Sequence, residues 1–500
     1  MLRTKSHRVL FGFVLSLAVS IGLHWSIFPL DIQGHHNWRQ SQTMWNVRNF
    51  LRYDNDILNP RVSHLNGRNH DNTMRYEFPV MQWGIAQVQR VFGDATAVAR
   101  VCVWIIGVFG LAGFYLLLRT MGFAAYLSLA GTALLQFSPL FYFYTVNVLP
   151  DLLAHTAAIW YLYFTFHYIR SPRTWTIFAA ALFLLLATLA KLPFAMFGIV
   201  GVVYFFRHLL SRGQLQWRVV GFAVVHLLLI LPAVKWYTWV MPGWGDNPVV
   251  YGIFASTNTY EQNVWIFRHY YRQYFPYDLL SPAMWLFGVL GVVWPARRDG
   301  HPGYRAYVWA LALITLLYVA LQWNTITIVH DYYLFPLLPW LYIVVTAGAG
   351  RLLQLFANRG RPKIGYALVW LAVLASPVLA HQQRQKFWDV TTSYRYAEFE
   401  DAFRYREALQ DAADDDAIVI ALNDNSFHIL TWLIRKRGYV FSQNSLQPLW
   451  IKDLVDNHEA TYLYSTSRKI DQDPAAAPYL DSLVLEAGQV HVYKLAAPEK

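Results

Sequence analysis

The residues of this chain that could do chemistry sit in short polar stretches between long apolar ones. Asp31, His36, Trp38, Arg39 and Gln40 follow the first apolar segment, and Glu77 stands two residues before Pro79. Further on come Asp151, Lys191, the run Arg268-His269-Tyr270-Tyr271-Arg272 and the run His330-Asp331-Tyr332. A carboxylate or neutral imidazole can take a proton from a hydroxyl nucleophile. A guanidinium presents a planar fork suited to phosphate, and an ammonium at lipid depth can meet the same charge. Acids that abstract protons beside cations that hold a phosphate suit transfer of a group from a lipid phosphate to an acceptor.

Each of these residues also has an ordinary reading. Asp31 could cap a turn, Asp151 could cap a helix, and Glu77 could be a polar residue ahead of a proline. Arg39 and Lys191 could snorkel from helix ends. His36, His269 and His330 could belong to the aromatic belt that the chain's 21 Trp and 32 Tyr largely form. The acid run Asp414-Asp415-Asp416 reads as a solvated turn.

The elements that must position these residues are mostly membrane helices. Apolar residues make up 56% of the chain and charged ones only 14%, with apolar runs long enough to cross a bilayer recurring along it. The hydropathy pattern predicts eleven spans, at 9–28, 95–118, 123–144, 152–169, 175–190, 194–206, 219–237, 279–295, 306–323, 334–350 and 364–380. With the N-terminus cytoplasmic, one side collects Arg3, Lys5, Arg8, Arg119, Arg170, Arg207, Arg297, Arg298, Arg305 and Arg351, among others. The short loops opposite hold only Lys191. The net charge of +11 is thus chiefly a topology signal, and no nucleic-acid partner is expected. The sequence Ile27-Phe28-Pro29 is a poor cleavage site, so the first segment is expected to remain as an anchor.

The tail differs in kind. Segments 417–422 and 460–464 predict strands with a helix at 427–436 between them, and 484–485 with 490–494 predict a closing hairpin. The expected organisation is an all-α membrane domain over 1–380, with 31–94 as its first outer loop carrying interfacial helices, and a small periplasmic α/β domain over 381–500. Eighteen of the thirty acids fall in that tail; of the other twelve, all but Asp299 are placed on the outer side, at span ends or in loops, Asp246 among them. Acids at mid-span would mark an ion or proton pathway; their gathering at one face suits an active site at the outer membrane boundary instead. Cys102 is the only cysteine, which excludes an internal disulfide, and no HExxH pattern or glycine-rich phosphate loop occurs.

Several motifs resemble the GT-C superfamily of integral-membrane glycosyltransferases, in particular protein O-mannosyltransferases and lipid A aminoarabinose transferases. Arg75-Tyr76-Glu77-Phe78-Pro79 with Trp83 and Phe92-Gly93 is similar to a Glu-Lys-Pro segment of the latter, with Phe78 in the place of their lysine. Leu149-Pro150-Asp151 resembles the family's outer-loop aspartate, Ala190-Lys191-Leu192-Pro193 its outward lysine, and His330-Asp331-Tyr332-Tyr333 with Pro336 and Pro339 a motif of bacterial members. Where the family carries an Asp-Glu pair after its first helix, Trp38-Arg39-Gln40-Ser41-Gln42-Thr43 has no acid, and Asp31 and His36 are the substitutes beside it.

The resemblance implies a bacterial inner-membrane glycosyltransferase that moves a sugar from a polyprenyl-phosphate donor to a glycolipid, glycan or protein acceptor outside the cytoplasm. The expected proton acceptors are Asp31, His36 and Asp151; the expected phosphate ligands are Arg39, Lys191, Arg268 and Arg272. Glu77 and His269 could hold a divalent metal, and Trp38, Gln40, His330, Asp331 and Tyr332 complete the expected site. A glycan ligase or polymerase using a diphosphate-linked donor, a glycolipid flippase and a membrane scaffold remain alternatives at this stage.

Overall fold

The computed structural model describes residues 2–67, 69–212, 216–244, 251–292, 304–326, 328–442, 445–466 and 468–496. Asp246, Arg297, Arg298, Asp299 and the far end of the expected 279–295 span lie outside them. The chain forms two compact units. The helical unit comprises Met1–Pro29, Tyr76–Met81 and Ala99–Gln385; the polar unit comprises Leu30–Arg75, Gln82–Val98 and Lys386–Lys500. This division departs from the expected boundary at 380, because most of the 31–94 stretch belongs with the tail and only Tyr76–Met81 belongs with the helices.

In the helical unit the described part of every expected span is mostly helical. Among the described residues seven stretches are long and apolar enough to cross a membrane, or eight if Tyr260–Leu279 and Pro282–Val292, bent by 83°, count as one. The expected count of eleven exceeds this for physical reasons. Pro139 starts a new helix, so 123–144 becomes Ala125–Gln136 and Pro139–Tyr144. Thr174–Ala190 is a short apolar helix of 17 residues. Asp151–Arg170 has 20 residues, but Asp151, His155, Thr156, Thr165 and His167 lower its hydropathy, and all but His167 of these are buried by neighbouring protein. Close packing between Trp285–Val292 and Leu338–Asn358 relies on glycine: a Cβ on Gly348 would lie 1.8 Å from the Phe287 carbonyl oxygen, and one on Gly291 2.0 Å from that of Val344.

The polar unit is built on one seven-stranded sheet. Its strands are β1 Arg61–Asn66, β2 Asp71–Thr73, β3 Ile418–Leu422, β4 Arg437–Phe441, β5 Ala460–Ser465, β6 Leu480–Ala487 and β7 Val490–Leu495, in the order β2-β1-β4-β3-β5-β7-β6. Strand β3 lies between β4 and β5, parallel to both and wholly buried, which is why Ile418-Val419-Ile420-Ala421-Leu422 reads as an unbroken apolar run. The hairpin β6–β7 matches the expected one. The expected helix at 427–436 is shorter, Ile429–Ile434, and β4 follows it directly.

Strands β1 and β2 were not expected. They come from the first loop, and β1 joins the tail's sheet through His64 opposite Gly438. The helix Asn37–Arg52 also belongs here. Its buried polar face docks on β1, where Asn46 donates to the Arg61 carbonyl at 2.6 Å and Asn49 to the same oxygen at 3.2 Å.

Candidate active site

Lys191 ends the helix Thr174–Ala190, where an extended backbone turns the chain into the 3₁₀ segment Leu192–Gly198 opened by Pro193. Its Nζ lies 3.7 Å from Asp151 Oδ2 and 3.9 Å from Glu77 Oε2. The rings of Tyr332 and Tyr333 stand 5.8 and 5.5 Å from the same nitrogen, within cation–π range. Glu77 and Asp151 are buried, their side chains 8% and 3% exposed, and Lys191 is largely buried at 11%.

Local structure explains the convergence. Asp151 is the first residue of Asp151–Arg170, so its carboxylate sits at the positive end of that helix. Glu77 is carried in by the short segment Tyr76–Met81. The Phe78 amide donates to the Leu189 carbonyl at 3.0 Å, Trp236 Nε1 donates to the Tyr76 carbonyl at 3.1 Å, and Tyr237 Oη donates to the Thr188 and Leu189 carbonyls at 3.1 Å. A cation between two acids, in an apolar surround, can neutralise an incoming phosphate while a carboxylate takes a proton.

A second charged cluster shares the unit. Arg384, at the last turn of Pro362–Arg384, is fully buried and reaches Asp278 and Asp331 at 3.0 Å each. Asp331 also accepts a hydrogen bond from Tyr144 Oη, and Asp278 from Gln273 at 3.1 Å and Gln383 at 3.0 Å. Sequence reasoning placed Arg384 in the tail and assigned Asp278 and Tyr144 no role. The available signal was an arginine at the polar end, His381-Gln382-Gln383-Arg384, of a long apolar helix, where a buried guanidinium requires partners.

In the polar unit Asp31 is a clamp rather than an exposed base. Its carboxylate accepts from Thr96 Oγ1 at 2.6 Å, its neighbour Ile32 N at 2.8 Å, Arg435 at 2.9 Å and Trp432 Nε1 at 3.2 Å, with Arg406 3.8 Å away. Burial alone would raise its pKa; the Arg435 charge and the Thr96 hydrogen bond outweigh that and hold it below the ordinary 3.8. Such a carboxylate is a weak proton acceptor, which argues against the proton-acceptor role expected of Asp31.

His36 is buried at the N-terminus of Asn37–Arg52 in a left-handed conformation, with φ 62°, and its ring centroid lies 3.8 Å from that of His35. Arg39 is half-buried and donates to Gln42; Gln40 donates to the His35 carbonyl at 3.2 Å; Trp38 is exposed and packs 5.0 Å from Tyr394. Of the expected phosphate ligands in the helical unit, Lys191 alone is set among acids. Arg268 and Arg272 are exposed, and Arg272 lies over the ring of its neighbour Tyr271. Of the proposed metal pair, Glu77 lies 3.9 Å from Lys191, while His269 packs between Trp265 and Tyr274 at ring distances of 5.8 and 4.5 Å. His330 marks a kink in the helical stretch Ile328–Leu337 and stands 5.7 Å from the rings of Tyr332 and Tyr333.

The family described as dolichyl-phosphate-mannose-protein mannosyltransferase matches residues 77–236, a stretch that contains Glu77, Asp151 and Lys191. Comparison with curated proteins gives no sequence match. Among solved structures, ArnT from Cupriavidus metallidurans in the apo state is similar over 98% of both chains, with 14% identity and a TM-score of 0.62. The same protein bound to undecaprenyl phosphate is similar over the same share of each chain, at 15% identity and a TM-score of 0.56. The archaeal oligosaccharyltransferase AglB from Archaeoglobus fulgidus, in complex with an inhibitory peptide and a dolichol-phosphate, is similar over 95% of this chain and 72% of its own, at 12% identity and a TM-score of 0.57.

Proposed function

We propose that this chain, whose fold is similar to that of GT-C glycosyltransferases, transfers a sugar from a polyprenyl-phosphate donor to an acceptor hydroxyl at the non-cytoplasmic face of a bacterial inner membrane. The observation that carries the reading is Lys191, an ammonium buried between Glu77 and Asp151 at a helix end of the apolar unit. The ligands named for the similar structures, undecaprenyl phosphate and dolichol-phosphate, favour a monophosphate lipid as the donor class.

In this mechanism Asp151 takes the proton from the acceptor hydroxyl, whose oxygen attacks the anomeric carbon. The bond from that carbon to the phosphate oxygen breaks, and the negative charge growing on the departing lipid phosphate is met by Lys191. Glu77 holds Lys191 in place from the other side. Both pairs are longer than a charge-assisted hydrogen bond, which is about 2.8 Å, so neither carboxylate holds Nζ at hydrogen-bond length. One cation suits a monophosphate leaving group, and the mechanism draws on no metal.

The test is reconstitution in liposomes with polyprenyl-phosphate-linked sugars, following release of free polyprenyl phosphate with a membrane extract as acceptor. Release by the parent and its loss in Lys191→Met support the reading. Consumption of diphosphate-linked but not monophosphate-linked donors refutes it in favour of a ligase or polymerase.

A further inference from the structure

Arg384 touches none of the three charged residues of the proposed chemistry in any contact described above, yet its position is costly. A guanidinium with no exposed surface in an apolar unit is retained only with close partners, and here it bridges two segments distant in sequence. One is the π-helical turn Tyr270–Leu279, which ends beside Asp278; the other is Ile328–Leu337, which carries Asp331. Asp331 is the residue immediately before Tyr332 and Tyr333, whose rings stand against Lys191. Adjacent Cα atoms are fixed about 3.8 Å apart, so whatever fixes Asp331 fixes where those two rings begin.

The kink at His330 makes that fixing necessary. With φ −128° and ψ 40°, His330 interrupts the helical turns, so the backbone hydrogen bonds of the stretch do not by themselves set the direction of the tyrosines. Downstream, Leu338–Asn358 is pinned through the close approach at Gly348. Upstream of Tyr332, the bonds from Arg384 and Tyr144 to Asp331 supply the second anchor.

We propose that Arg384 is a positioning residue for the Lys191 site: by bridging Asp278 and Asp331 it holds Tyr332 and Tyr333 against the Lys191 ammonium, and so sets the site's affinity for the lipid-phosphate donor. The kinetic part rests on the sugar-transfer reading above; the geometric part does not.

The decisive comparison is between Asp331→Asn and Asp278→Asn in the full chain. Both remove one carboxylate from the same guanidinium, but only Asp331 leads directly into the tyrosines. Asp331→Asn should raise the KM for a polyprenyl-phosphate sugar by about tenfold, the scale of a desolvated cation–π contact or a small misplacement, with kcat little changed. It should also speed labelling of Lys191 by an amine reagent, read by mass spectrometry. Asp278→Asn should move both quantities less, at a similar loss of thermal stability. Tyr144→Phe, which deletes a single hydrogen bond to Asp331 and spares the charges, provides a milder variant and should shift both in the direction of Asp331→Asn.

Equal shifts in the two Asn variants, or no shift in either, overturn the proposal. If the parent transfers no sugar from any polyprenyl-phosphate donor, the functional reading fails, and the labelling comparison alone decides the positioning role.

Discussion

Replacing Lys191 by methionine separates a structural from a chemical role for the buried ammonium. At 3.7 and 3.9 Å, each ion pair is worth about 4 kcal/mol of Coulomb attraction at an effective dielectric constant near 20. That gain is set against the desolvation of three groups, so the net cost of deleting the shared cation is expected at about 3–5 kcal/mol, the usual result of stranding a buried charge. The triple variant Lys191→Met/Glu77→Gln/Asp151→Asn removes the stranded charges as well and should recover most of the loss in thermal unfolding in detergent. Its catalysis should not recover. Loss of a preorganised charge facing a developing anion lowers turnover by about 10²–10³-fold, and the triple variant also lacks the base. Initial rates of polyprenyl-phosphate release in liposomes read this directly. A folded Lys191→Met protein with parental turnover would refute the placement of the leaving phosphate at Lys191.

Asp151→Asn should lower turnover by about 10²–10⁴-fold, the usual worth of a positioned base, while a polyprenyl-phosphate donor still binds; unchanged turnover would remove Asp151 from that role. Asp31→Asn should instead lower the stability of the polar unit by about 2–3 kcal/mol, with turnover reduced only as far as folding is. Because Arg435 and Thr96 hold Asp31 below 3.8 against its burial, its stabilisation is present above the unfolded value and is lost as pH falls through the lower folded value, so parent and variant should converge in strong acid. Burial lowers the His428 pKa from 6.5 to about 3, so the folded polar unit keeps it neutral while the unfolded chain takes up a proton; its contribution to stability should fall by about 1.4 kcal/mol per unit as pH drops through that window. Hydrogen exchange of β3 in the full chain measures this, and the slope should become shallower in His428→Gln, with His64, also lowered by burial, still contributing. A phosphatase fused to the C-terminus should be active only if exported, and a silent fusion would invert the proposed topology.

The parts of this chain legible in sequence are those whose physics is local. Apolar runs gave each span its helix, and the unbroken stretch Ile418–Leu422 gave a buried parallel strand, because burial on both faces needs no partner to be named. The pairing of β1 with β4 was not legible, since His64 and Gly438 lie hundreds of residues apart and β1 alone is a six-residue segment among polar neighbours. The same distance hid the roles of charges. Asp31, met beside His36 and Arg39, looked like a lone acid in a catalytic loop until Arg435 and Trp432 closed on it from the other end of the chain. Arg384 looked like one cation among many in a polar tail until two acids from separate helical segments enclosed it.

Pairing by itself therefore does not mark a site, since in this chain the expected catalytic acid and the overlooked arginine are both paired. What differs is the geometry of the pair. Arg435 meets Asp31 at 2.9 Å and Arg384 meets its two acids at 3.0 Å, distances at which charge-assisted hydrogen bonds lock both partners. Lys191 stands 3.7 and 3.9 Å from its two acids, attracted by both but held by neither pair at hydrogen-bond length, with tyrosine faces beside it. A clamp gains from short contacts, because its task is to stop motion. A group that must exchange partners with a substrate in every turnover gains from long ones, because each tight bond would have to be broken before the phosphate could bind. By that measure the longer Lys191 pairs fit the proposed phosphate site, and the short Arg384 and Asp31 contacts fit a framework that holds their units in shape.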